Sequence, residues 1–293
     1  MDLVKWLDKE ASTLTACEAE RLRIFAEHYA NQPSWPVLAL PAAVAELYGI
    51  PSEQQQALVA GSCLFFLAAD IIDDAQDGDL DNESSWPFAI NAGLTFLFGA
   101  IRAFAAAAPH APVAQEVSMA GNALVQGQEL DLHLTWQAQP EEDTVLAAVN
   151  GKSGASMALY LRMAAHAAER MPVEVEKWGL LGQTLGMAIQ LRSDLNDLSR
   201  PASRDFRARK LTLPLAYGMK RSPEALKKAM EDDNQAAAWR ALRSCGAITF
   251  VEFKIDALLV EAETLIAAFI LAENDRKRLL EFIHSAIAIP MSI

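Results

Sequence analysis

Between its Pro and Gly residues this chain repeats one pattern, apolar residues three and four positions apart, and it has hardly any β-branched run of period two. Such a chain buries its apolar stripes by packing helix on helix, so the fold class is all-α. The spacing predicts helices over 2–30, 37–49, 53–76, 86–107, 112–135, 142–168, 173–199, 208–220, 223–243 and 247–290, the last split near Asn274. Pro51-Ser52, Pro172 and Ser222-Pro223 read as helix starts, where Pro costs little and Ser can cap free amides. The stretches 61–72, 92–106 and 177–190 are apolar nearly all round, which calls for neighbours on every side.

With 293 residues, 52% of them hydrophobic, the chain can bury a large core, and no Pro/Gly/Ser-rich break marks a second domain; one domain over 1–293 is expected. Asn91 and Arg102 interrupt the longest apolar stretch and charges sit within 1–11, so neither a transmembrane span nor a secretion signal is expected. Cys17, Cys63 and Cys245 lie far apart in no metal-ligand spacing, as suits a reducing cytoplasm. The formal charge of −13 repels a nucleic-acid backbone, and no basic stripe offsets it. An anionic substrate therefore needs a cation to bring it in.

The sequence offers a place for one. Asp73-Asp74-Ala-Gln-Asp77 follows the apolar run Cys63-Leu-Phe-Phe-Leu-Ala-Ala and stops just before Gly78. At about 100° per residue, Asp70, Asp73, Asp74 and Asp77 fall within an arc of roughly 100° on one helix face. Converging carboxylates raise one another's pKa unless a hard divalent cation takes their oxygens. A solvated acidic loop is the bland alternative, because Asp79, Asp81 and Glu83 prolong the acidic run. A calcium loop of the EF-hand type fails at Ala75 and Ser84, where oxygen ligands are required. A second acidic helix end lies downstream in Gly186-Met-Ala-Ile-Gln190-Leu-Arg-Ser193-Asp194-Leu-Asn-Asp197, with Gln190, Ser193, Asp194 and Asp197 on one face. Two such ends, each after a buried stripe, are hard to reconcile with ordinary surface.

In these motifs the chain resembles the trans-isoprenyl diphosphate synthases, relatives of the class I terpenoid synthases, whose two Asp-Asp-x-x-Asp motifs face each other across three Mg²⁺ ions. Asp73, Asp74 and Asp77 match the first motif. Gln190, Asp194 and Asp197 match the second, with Ser193 where its first Asp is expected. Three more stretches match in order: Gln126-Gly-Gln128-Glu-Leu-Asp131, Gly151-Lys152-Ser153-Gly154, and Asp205-Phe-Arg-Ala-Arg-Lys210-Leu-Thr-Leu-Pro214. The resemblance implies a helical bundle around a central active-site cavity. It makes Asp73, Asp74, Lys152 and Gln190 catalytic, places Gln128, Asp131, Lys152 and Lys210 in a diphosphate network, and gives Asp73, Asp74, Asp77, Asp194, Asp197 and Ser193 to Mg²⁺. It also implies a cytoplasmic homodimer acting on an allylic prenyl diphosphate. Ala68 and Ala69 stand where the family often has aromatic residues that floor the cavity, which suits a long prenyl chain.

The departures point elsewhere. Elongating members hold isopentenyl diphosphate with a Gly-Lys-Arg segment and an Arg-Arg pair, where this chain reads Asn31-Gln-Pro-Ser-Trp35-Pro-Val-Leu and Asp81-Asn-Glu-Ser-Ser-Trp86-Pro-Phe. A second diphosphate there without cations costs on the order of several kcal/mol. The expected chemistry is therefore Mg²⁺-dependent ionisation with transfer to another acceptor, or cyclisation. The alternatives are chain elongation and a catalytically silent subunit of a heteromeric synthase.

Overall fold

The computed structural model describes residues 16, 19–20, 36–78, 86–136, 141–200, 202–270 and 272–288. Among these the helices are α1 (Pro36–Leu47), α2 (Ser52–Asp77), α3 (Trp86–Ala107), α4 (Val113–His133), α5 (Glu142–Val149), α6 (Ala155–Ala167), α7 (Pro172–Ser199), α8 (Arg204–Arg207), α9 (Leu213–Arg221), α10 (Pro223–Glu231), α11 (Gln235–Ser244), α12 (Ala247–Phe269) and α13 (Glu273–Ala288). No strand occurs among the described residues, only an isolated antiparallel bridge between Thr135 and Lys210. The all-α class is borne out. The helix expected over 2–30, apart from residues 16 and 19–20, and the two segments read as lacking cations, apart from residues 36–38 and 86–88, lie outside the described residues.

The chain divides into two compact units, one drawn from Met1–Ala120, Ala158–Gly182 and Ile266–Ile289, the other from Gly121–Met157, Gln183–Leu265 and Pro290–Ile293. In the first, α3 lies on α2 through small residues facing large ones. A Cβ on Gly93 would come within 2.6 Å of Ile72 Cγ1, and one on Gly61 within 2.7 Å of the Phe104 ring. That close fit buries Ala89, Ala92, Phe96, Ala100, Ala103 and Phe104 along one side of α3. The opposite side exposes Trp86, Ile90, Leu94 and Phe98, so among the described residues the all-round apolar pattern of this helix is covered on one side. Both α2 and α3 are long and apolar enough to cross a membrane by length and composition, but 67% of the apolar window of α2 is buried, as a core helix requires. Elsewhere in this unit Glu116 accepts two hydrogen bonds from Arg162, at 2.6 and 3.0 Å, and stands 2.9 Å from His166 Nε2.

In the second unit, the helix expected over 142–168 is broken by one π-helical turn, Asn150–Gly154. The run Asn-Gly-Lys-Ser-Gly is poor in helix formers, so α-helical winding there is easily displaced by packing. The helix expected over 208–220 begins only at Leu213, because Arg209 takes a left-handed backbone (φ 57°) and Lys210 turns out to pair with Thr135. That expected over 223–243 divides after Glu231, where Asp233 has φ 48° and the Asn234 side chain caps α11 by accepting from Ala237 N at 3.0 Å. Ser222, expected to cap α10, makes no side-chain cap bond. The division expected near Asn274 falls between Phe269 and Glu273.

Candidate functional site

Helix α2 is buried along most of its length, down to Ile71 and Ala75, and then ends in acid. Gly78 closes it with φ 77°, donating its N–H to Asp74 O, a backbone that glycine adopts without strain. A helix C-terminus carries partial negative charge, so carboxylates are the wrong residues there for stability. Asp73 and Asp77, one turn apart, bring carboxylate oxygens within 4.8 Å of each other. Like charges so placed destabilise a helix, whereas two oxygens of one octahedral Mg²⁺ lie about 3–4 Å apart, so a small closure of this pair fits such an ion. Asp74 is half-buried and is not a member of that pair.

The second unit assembles the remaining residues. Asp131, in the last turn of α4, accepts on one oxygen from Lys152 Nζ at 2.7 Å and lies 2.8 Å from Lys210 Nζ. Burial pushes the Asp131 carboxyl up, but the two ammonium groups outweigh it and hold the pKa below the usual value. Lys152 comes from the π turn. Lys210 comes from a loop pinned to the end of α4, where Leu211 N donates to Leu134 O at 2.9 Å and the Arg209 guanidinium stacks 5.8 Å from the Trp136 ring centre.

Next to this lies a hydrogen-bonded chain. Ser153 Oγ donates to Gln190 Oε1 at 2.6 Å, and Gln190 Nε2 donates to Asp194 Oδ1 at 2.8 Å. Asp194 is only 6% exposed. Its pKa is raised to about 8 by burial first and by the charge of Asp205, with Asp131 adding to the rise, against the opposing pull of Gln190 and Lys210. Gln128 is buried, and Ser193 is half-buried beside Asp194 but outside that chain.

Asp197, to which the resemblance gives a metal role, also ties down a loop. Its Oδ2 accepts a short hydrogen bond from Ser203 Oγ and another from Asp205 N at 3.2 Å, while Ser203 Oγ accepts from Phe206 N at 3.0 Å. The carboxylate thus caps the loop that leads to Lys210. Sequence reasoning named no role for Ser203 or for the Asn150–Gln183 pair, whose side chains bond at 2.8 Å. The signal for that pair was the helix-poor run beginning at Asn150.

Residues 43–243 match the sequence model of a family described as polyprenyl synthetase. No curated protein matches the chain at a significant level. Solved structures share its fold at low identity. A polyprenyl synthase from Caulobacter crescentus, complexed with calcium and isoprenyl diphosphate, is 19% identical with TM-score 0.82, over 98% of this chain and 94% of that one. A heptaprenyl diphosphate synthase from Staphylococcus aureus is 16% identical with TM-score 0.81, over 99% and 96%. A decaprenyl diphosphate synthase from Rhodobacter capsulatus is 17% identical with TM-score 0.78, over 98% and 94%.

Proposed function

The chain belongs to the polyprenyl synthetase family, and from that premise we propose that it is a divalent-metal-dependent prenyltransferase, a single isoprenoid synthase domain that ionises an allylic diphosphate and extends it with isopentenyl diphosphate. Elongation replaces the acceptor or cyclisation reading expected from the missing basic segments, because the matched family and the named structural neighbours are synthases of polyprenyl chains. One observation carries the reading: Asp131 holds Lys152 and Lys210 within 2.8 Å of a single oxygen. Two ammonium groups are thereby held on one carboxylate before any substrate arrives.

In this mechanism the lysines exchange Asp131 for oxygens of the diphosphate and stabilise the charge that develops as the allylic C–O bond breaks. The double bond of isopentenyl diphosphate then supplies the electron pair of the new C–C bond, and a proton leaves. Asp73 and Asp77, with Asp74 beside them, would hold the metal, which when bound neutralises diphosphate charge as a Lewis acid; Mg²⁺ suits their all-oxygen donors. Asp194, once deprotonated, would offer a carboxylate to a divalent metal, and Ser193 a weaker oxygen. Gln190 fixes Ser153 and Asp194 relative to each other, and Asp197 serves by holding the Ser203–Phe206 loop. Gln128 completes the diphosphate network one turn before Asp131. A homodimer in the cytoplasm is part of this reading: it is supported by the exposed face Trp86, Ile90, Leu94 and Phe98, which a second copy would cover, and by the free thiols of Cys63 and Cys245.

A second reading rests on sequence alone: Asn31, Gln32, Asp81, Asn82 and Glu83 stand in the segments where elongating members carry Lys and Arg. In it the allylic cation meets another acceptor or its own double bonds, as in a terpene synthase. The test is incubation with ten-, fifteen- and twenty-carbon allylic diphosphates, Mg²⁺ and labelled isopentenyl diphosphate. Label in a longer prenyl diphosphate is expected. Pyrophosphate release without incorporation would favour the second reading, and no release from any substrate would leave only a silent subunit. Replacing Asp73 and Asp77 together by Ala, or adding EDTA, should lower turnover at least ~100-fold with the fold intact.

A further inference from the structure

The π turn that carries Lys152 is held from outside the diphosphate site, and we infer that Asn150 and Gln183 are positioning residues that set the Lys152 ammonium through the geometry of this turn. The inference rests on the diphosphate role given to Lys152 above. Residues 150–154 close one i→i+5 turn, with Ala155 N–H reaching Asn150 O. An isolated π turn inside an α-helix is unfavourable and persists only where its surroundings hold it.

The surroundings do so on three sides. At Gly127 and Gly151 the backbone of α4 meets the turn so closely that a Cβ on Gly151 would stand 2.7 Å from Gly127 Cα. At Gly186 a Cβ would stand 2.2 Å from Ser153 O, so α7 presses on the turn as closely from another side. Ser156 Oγ takes up Lys152 O at 2.9 Å. These contacts fix where the turn lies but are made largely by backbone atoms. Across its opening runs a side-chain tie to α7, Gln183 Nε2 donating to Asn150 Oδ1 at 2.8 Å. That same oxygen occupies the hollow of the turn, 2.5 Å from where a Cβ on Gly154 would be. Asn150 therefore joins the first and last residues of the turn to α7, and Lys152 and Ser153 lie between them.

The consequence for the site is angular. In this turn Lys152 faces Asp131 on α4 while the next residue, Ser153, faces Gln190 on α7. If the turn relaxes to α-helical winding, the two side chains rotate and cannot both keep their partners. Loss of the amide tie thus misplaces the lysine without removing any group that touches substrate.

The experiment compares wild type with Asn150→Leu, Gln183→Leu, Gly154→Ala and Asn150→Asp, in steady-state kinetics with an allylic diphosphate and in amide hydrogen exchange over 150–156. The two Leu variants and Gly154→Ala should raise KM more than they lower kcat, reduce kcat/KM by ~10- to 100-fold, and speed exchange across the turn at nearly unchanged melting temperature. Asn150→Asp keeps an oxygen to accept from Gln183 and should retain near wild-type values in both assays. Wild-type kinetics and exchange in Asn150→Leu, or an Asn150→Asp variant as impaired as the Leu one, would overturn the inference. If wild type itself turns over no allylic diphosphate, the functional reading falls instead, and the exchange data alone decide whether the amide pair holds the turn.

Discussion

Asp194→Asn isolates a carboxyl whose ionisation the fold opposes. Asp194 is 6% exposed, accepts a hydrogen bond from Gln190, and faces the charges of Asp205 and Asp131; without a metal its pKa rises from an ordinary 3.8 to about 8. The folded chain then binds a proton that the unfolded chain has already lost at pH 5. Stability is fully present below pH 4 and falls as pH rises toward 8, at about 1.4 kcal/mol per pH unit for one proton. Between pH 5 and pH 7 the wild type should lose about 3 kcal/mol that the variant keeps, because Asn has the shape of the neutral acid and does not titrate. For a chain of this size that corresponds to roughly 5 °C in melting temperature. Thermal melts of both proteins in EDTA at constant ionic strength, from pH 5 to pH 8, read the difference directly. Parallel curves would refute the reasoning, since they would mean that Asp194 is already ionised in the folded chain at pH 5. Adding Mg²⁺ should flatten the wild-type slope alone if the ion takes the place of the proton.

Glu116→Gln tests the opposite sign. Burial opposes ionisation there, but the His166 and Arg162 hydrogen bonds prevail and hold Glu116 near 2 from an ordinary 4.5. Its contribution is present above pH 4.5 and is lost as pH falls toward 2, so at pH 7 the variant should be less stable by about 3 kcal/mol in urea melts; a loss under about 1 kcal/mol would show the cluster to be loosely coupled. Ser193→Asp restores a carboxylate beside Asp194 and should lower the Mg²⁺ concentration for half-maximal activity by ~10-fold; an unchanged value would place Ser193 outside the metal shell.

What the sequence determined by itself is what local forces decide. Helix α3 runs over the residues its periodicity indicates, and α2 ends at Gly78 because a left-handed glycine and a run of acid stop a helix whatever packs around it. The pairing of Lys152 and Lys210 with Asp131 was foreshadowed only as a common role, and no spacing within one segment could supply it. Tertiary packing decided the rest. The π turn exists because Gly127, Gly151 and Gly186 let backbones touch there. Asp197 holds a loop because packing brings Ser203 and the Asp205 amide to its Oδ2. Asp194, which reads in sequence like its acidic neighbours, became a buried acid with a raised pKa because the fold removed its water and set other carboxylates against it. Helix geometry repeats every 3.6 residues and can be read along the chain, whereas desolvation and charge depend on groups that only the folded chain brings together.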